Sequence, residues 1–152
     1  MVTTGADRLL VDTNVLVYAS LRNSPWHAHA IQSLHTELQD GTELWVSRQI
    51  LREYLAVLTR PGTTTLASPT AAAVADVAAF VRMFHVADDT NDVTTRLLAL
   101  VQSVAVAGKQ IHDANLVATM QVYGIPRLLT HNVADLTRFG AWITVVPLVA
   151  AP

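Results

Sequence analysis

Short apolar runs alternate with longer amphipathic stretches along the chain. "RLLVD" (Arg8 to Asp12) predicts a buried strand that stops at a charge. Asn14 to Leu21 predicts a helix, with Thr13 or Asn14 able to cap it. Pro25 opens a second helix, from Trp26 to about Leu38, and Asp40-Gly41 closes it. "ELWVS" (Glu43 to Ser47) predicts a second strand. Ser47 is placed to cap a helix from about Gln49 to Leu58, which Arg60-Pro61-Gly62 ends. A polar loop, "TTTLASPT", leads into an alanine-rich helix from Thr70 to Met83. "FHVADD" predicts a weak third strand, followed by a helix from Asn91 to Val106. Gly108 breaks the pattern. The next helix runs from Ile111 to Tyr123 and stops at Gly124. "PRLLT" (Pro126 to Thr130) predicts a fourth strand. A short helix around Val133 to Phe139 precedes a fifth strand in "WITVV".

Strand and helix alternate throughout, which implies an α/β fold: a mainly parallel sheet with helices on both faces. The strands are nearly all apolar, as expected when both faces are covered. No internal repeat, low-complexity tract or long linker divides the sequence, so residues 1–152 are expected to form a single domain. In such sheets ligands sit at the carboxyl ends of the strands, where the strand order reverses. Asp12 ends the first strand, and Thr130-His131-Asn132 lies at the same end of the fourth. Residues distant in sequence therefore converge on one rim.

Composition narrows the function classes. The chain is 51% hydrophobic and 14% charged, with a formal charge of −2. A protein that coats nucleic acid through net positive charge is excluded. A local phosphate-binding patch is not, and Arg48, Arg52, Arg60 and Lys109 could supply one; scattered surface arginines are the simpler reading. The absence of cysteine rules out disulfides and thiolate metal sites and fits a cytoplasmic location. The polar N-terminus "MVTTGADR" does not read as a signal peptide. No apolar run reaches the roughly 20 residues that span a bilayer, so no membrane partner is expected. The high apolar content suggests a buried oligomer or partner surface, or an alanine- and valine-rich core.

The candidate chemistry is acidic. On a helix, Glu53 shares a face with Ile50 and Val57, and Asp113 shares one with Leu116, Val117 and Met120. Two inward-facing carboxylates and Asp12 at a strand end repel one another and resist desolvation. A hard divalent cation resolves the conflict, because Mg²⁺ or Mn²⁺ takes oxygen ligands. Each residue also has a structural reading. Asp12 could cap the following helix, Glu53 could pair with Arg48 or Arg52, and Asp113 could favour the helix dipole. Asp135 could cap or pair with Arg138. His112 and His131 read as solvent-facing or structural. No glycine-rich phosphate loop and no nucleophile elbow occurs.

Four segments together resemble the PIN-domain ribonucleases, in particular the VapC-type toxins of bacterial toxin–antitoxin pairs. They are "LLVDTNVLVYA", "SRQILREYLAVLTRP", "IHDANLVA" and "LLTHNVADLTRF". The resemblance runs nearly end to end, in order. It implies a three-layer α/β/α sandwich around a short parallel sheet, and an acidic cluster that binds Mg²⁺ or Mn²⁺ and hydrolyses RNA to 5′-phosphate and 3′-hydroxyl products. The family's strand-end aspartate falls on Asp12, its helical glutamate on Glu53 and its third acid on Asp113. Its fourth acid falls nearest Asn132, an amide that can ligate a metal but carries no charge, with Asp135 three residues on. The resemblance further implies an RNA substrate, a homodimer and an antitoxin that lays an apolar segment in a groove and sets a basic side chain among the acids. The helices around Trp26 to Leu38 and Gln49 to Leu58 are the candidate groove. Two other readings remain. One is a non-catalytic interaction module on the same fold, favoured by Asn132. The other is a phosphatase with Asp12 as covalent nucleophile, disfavoured by Asn14 where a second aspartate is usual.

Overall fold

The structure is a computed structural model that describes residues 5–150. Residues 1–4 of the polar N-terminal stretch lie outside the described residues. Five parallel strands form one sheet in the order β3-β2-β1-β4-β5. They are β1 (Arg8–Val11), β2 (Glu43–Ser47), β3 (His85–Ala87), β4 (Arg127–Thr130) and β5 (Thr144–Pro147). The helices are α1 (Thr13–Ser20), α2 (His27–Gln39), α3 (Arg48–Leu58), α4 (Pro69–Met83), α5 (Asn91–Ser103), α6 (Gln110–Tyr123) and the single turn α7 (Val133–Leu136). A 3₁₀ turn, Thr137–Phe139, follows α7. With the right-handed crossovers that parallel strands follow, this order puts α1 to α4 on one face and α5 to α7 on the other, and the packing agrees: α1 meets α2 and α3, α3 meets α4, α5 meets α6 and α6 meets α7.

The core explains the strand composition. Leu9, Leu10 and Val11 of β1 and Leu128 of β4 are fully buried. β1 is central, with Leu10 opposite Trp45 on one side and Leu128 on the other. Burying each such aliphatic side chain contributes about 1.5–3 kcal/mol.

The boundaries depart from the sequence pattern in instructive places. Of the three residues the sequence offers as the cap of α1, the structure uses Asp12 rather than Thr13 or Asn14: its carboxylate accepts from the Thr13 N–H. Pro25 sits in the turn before α2, which starts at His27 rather than Trp26. α5 ends at Ser103, three residues before Val106, because the chain turns extended at Val104. β5 begins at Thr144 rather than at Trp142, since Trp142 still belongs to the turn that closes on Phe139. Ser47 does cap α3, accepting from the Ile50 N–H. Gly124 ends α6 at φ +64°, a left-handed conformation that glycine adopts without strain.

A buried tyrosine ties three helices behind the site. Tyr54 of α3 is fully buried, and its hydroxyl donates to Asp76 Oδ2 of α4 at 2.6 Å. The same oxygen lies 2.7 Å from Ser20 Oγ of α1. Burial and the Asp76 carboxylate both raise the pKa of this phenol, so it stays a donor. Tyr54→Phe is expected to cost about 1–2 kcal/mol of stability, because Asp76 loses its donor. A urea midpoint unchanged from the parent would remove this role.

Candidate active site

The strand order reverses between β1 and β4, so a crevice opens at their carboxyl ends. Asp12 follows β1, and its N–H donates to the Leu129 carbonyl of β4 at 3.0 Å, which extends the ladder by one residue. The crevice is a cleft of about 360 Å³ lined by Asp12, Thr13, Asn14, Glu53, Asp113 and Asn132, with Val17, Tyr18 and Val57 on its apolar wall. Asp12 comes from a strand end, Glu53 from α3 and Asp113 from the first turn of α6. The fold thus brings all three predicted acids to one cleft.

Their surroundings differ. Asp12 is held by three donors: the Thr13 N–H at 2.7 Å, Thr130 Oγ1 at 2.7 Å and Asn14 Nδ2 at 3.2 Å. Burial nevertheless raises its pKa, opposed by those hydrogen bonds and reinforced by the nearby charge of Glu53. Capping a helix and belonging to the acidic cleft are therefore compatible roles for this carboxylate. Glu53 accepts from Thr13 Oγ1 at 2.9 Å and from Gln49 Nε2 at 2.8 Å. Its alternative partners are engaged elsewhere: Arg48 pairs with Asp88 and Arg52 with Asp89. Those pairings also subtract two cations from the proposed phosphate patch. Asp113 receives no hydrogen bond from the described residues. Its pKa is pushed up to about 6, first by burial and then by the charges of Asp12, Asp135 and Glu53, with Arg138 opposing.

Asn132 lines the cleft, while Asp135 stands beside it on exposed α7. Asn132 Nδ2 donates to Asp135 Oδ2 at 2.7 Å, so the partner of Asp135 is Asn132 rather than Arg138. His131 is packed among aromatic rings: its ring lies 4.6 Å from Trp26 and edge-on to Tyr18 at 5.5 Å. His112 faces solvent on α6.

Sequence reasoning missed the polar residues that hold the acids. Thr130 donates to Asp12, and Asn14 bridges Asp12, Thr130 and the His131 N–H. Their signal was position, since both flank strand ends that the topology brings together. Gln49 carried a signal too: a polar residue one helical turn before Glu53 on an inward face.

The donor set fits a hard divalent cation. It is all oxygen, and Asp113 feels three negative neighbours with weak relief. Among the described residues, no three His, Asp or Glu side chains are close enough to form a ready-made ion cage. That spacing suits an ion held by one or two carboxylates directly and by the others through water, which is the habit of Mg²⁺.

A three-layer parallel α/β domain with an acidic cleft at its switch point defines the class. Residues 9–139 match the PIN domain model, and the chain belongs to that family. Ribonuclease VapC24 of Mycobacterium tuberculosis is 28% identical over 134 residues, spanning 87% of this chain and 91% of the relative. VapBC2 from Rickettsia felis, solved bound to a DNA fragment from its promoter, matches with TM-score 0.70 at 13% identity, over 92% of this chain and 98% of that one. A toxin–antitoxin complex from Klebsiella pneumoniae matches with TM-score 0.66 at 20% identity, over 94% and 99%. No helix among the described residues is long and apolar enough to cross a membrane.

Proposed function

We propose that this chain is a Mg²⁺- or Mn²⁺-dependent endoribonuclease and the toxin of a type II toxin–antitoxin pair. The observation that carries the reading is the shared cleft of Asp12, Glu53 and Asp113, where burial first and then the neighbouring negative charges push Asp113 up to about 6. Asp12 and Asp113 hold the ion. When bound, it lowers the pKa of water and offsets charge that develops on an RNA phosphodiester. Glu53, fixed through both oxygens, orients the attacking water. Thr130 and Asn14 keep the Asp12 carboxylate aimed at the cleft. Asp113, with its pKa about 6, is largely ionised and available as a ligand near neutral pH. The curated relative is named a ribonuclease, which supports RNA as the substrate.

The apolar wall of the cleft and the exposed Ile31 and Leu38 of α2 suit an antitoxin segment that ends in a basic side chain. Val74, Val81 and Met83 on the outer face of α4 are open for a homodimer contact. A non-catalytic interaction module remains as the second reading. Asn132, neutral and bonded to Asp135, is the observation in its favour.

Purified protein incubated with total RNA decides between them. Cleavage that needs Mg²⁺ or Mn²⁺, stops with EDTA and leaves 5′-phosphate ends is the expected result. RNA left intact across both metals would favour the module.

A further inference from the structure

Gln49 is only 7% exposed, yet its whole amide is engaged. Nε2 donates to Glu53 Oε1 at 2.8 Å and to the His112 carbonyl at 2.9 Å. Oε1 accepts from Asn115 Nδ2 at 2.9 Å. The orientation of this amide is forced by its neighbours, because a carboxylate and a carbonyl can only accept. Gln49 starts from α3 on one layer and reaches the first turns of α6 on the other, bridging them across the rim. His112 immediately precedes Asp113. The amide therefore fastens the Glu53 carboxylate to the backbone that carries Asp113.

The second oxygen of Glu53 is fixed as well, by Thr13 Oγ1. Two like charges facing one cleft swing apart unless something restrains them. Glu53 is restrained on the α1 side by Thr13 and on the α6 side by Gln49.

We propose that Gln49, backed by Asn115, is a positioning residue: it locks the Glu53 carboxylate relative to Asp113 so that both address one divalent cation. This rests on the metal-dependent ribonuclease reading above. Partners that orient ligands typically change metal affinity by about 10–100-fold when removed. A merely structural bridge between α3 and α6 would lower stability and leave metal affinity alone.

Gln49→Met keeps the length and removes every hydrogen bond of the amide. Calorimetric titration with Mn²⁺ is expected to show about tenfold weaker binding, and kcat is expected to fall about tenfold with KM for RNA within about twofold. The decisive comparison is a double-mutant cycle with Glu53→Gln. If Gln49 acts through Glu53, adding Gln49→Met to Glu53→Gln changes Mn²⁺ affinity by less than about twofold. Additive losses, or an unchanged affinity in the single variant, overturn the proposal. Should Gln49→Met fail to fold by circular dichroism, Asn115→Ala carries the same test, with about threefold weaker Mn²⁺ binding expected. A parent that binds Mn²⁺ but cleaves no RNA removes the ribonuclease reading, and the weakening by Gln49→Met then still supports the positioning role. A parent that takes up no Mn²⁺ overturns both.

Discussion

Asp113→Asn is expected to lose RNA cleavage by on the order of 10³-fold while melting no lower than the parent. The reason is what surrounds Asp113. No hydrogen bond from the described residues holds it, and three negative neighbours oppose its charge. Such a carboxylate does little for the metal-free fold, so its removal separates function from folding cleanly. Asp12 makes a poorer probe, because it also caps α1 and accepts from Thr130 and Asn14. Cleavage within tenfold of the parent would exclude Asp113 from the chemistry.

The second large effect is a pH-dependent stability that a metal reverses. Asp113 titrates at about 6 in the folded chain against an ordinary 3.8. Between those values the folded state binds more protons than the unfolded one, so stability falls as pH rises through the window. Burial moves Asp12 in the same direction. Glu37, held below its ordinary range by Arg127, acts oppositely, with stability lost as pH falls. The difference between parent and Asp113→Asn is therefore the quantity to read. With EDTA present, the parent is expected to lose about 3–6 °C relative to the variant between pH 4.5 and pH 7.5. Mn²⁺ should restore the parent at pH 7.5 and have little effect at pH 4.5, where protons occupy the carboxylates. Parallel melting profiles for parent and variant, with and without Mn²⁺, would contradict the account.

The sequence pattern was most reliable where one physical effect dominated. β1, β2 and β4 are short apolar runs bounded by a charged residue at one end and by a charge or a hydroxyl at the other. Ser47 and Gly124 marked helix ends because their local chemistry suffices. The start of β5 and the end of α5 were misplaced because apolar residues continue past both. Trp142 and Val106 look like strand and helix, but the turn around Phe139 and the extended backbone from Val104 decide otherwise. Three successive residues, Asp12, Thr13 and Asn14, can all cap α1, so the sequence offers each of them and the structure selects Asp12. Only the approach of β4 separates their roles.

The same division holds for the site. From sequence alone came the parallel α/β architecture, the three acids and the rim where they meet, since apolar periodicity and strand-end position are local properties. Which atoms restrain each acid was not local. Thr130 lies 118 positions from Asp12 and Asn115 lies 66 from Gln49, and their hydrogen bonds exist only because β4 and α6 return to the first half of the chain. The tertiary structure also chose partners among equivalent charges, giving Arg48 and Arg52 to Asp88 and Asp89 and leaving Glu53 to Thr13 and Gln49. Burial and the distances between charges decide such competition, and neither can be read from residue order.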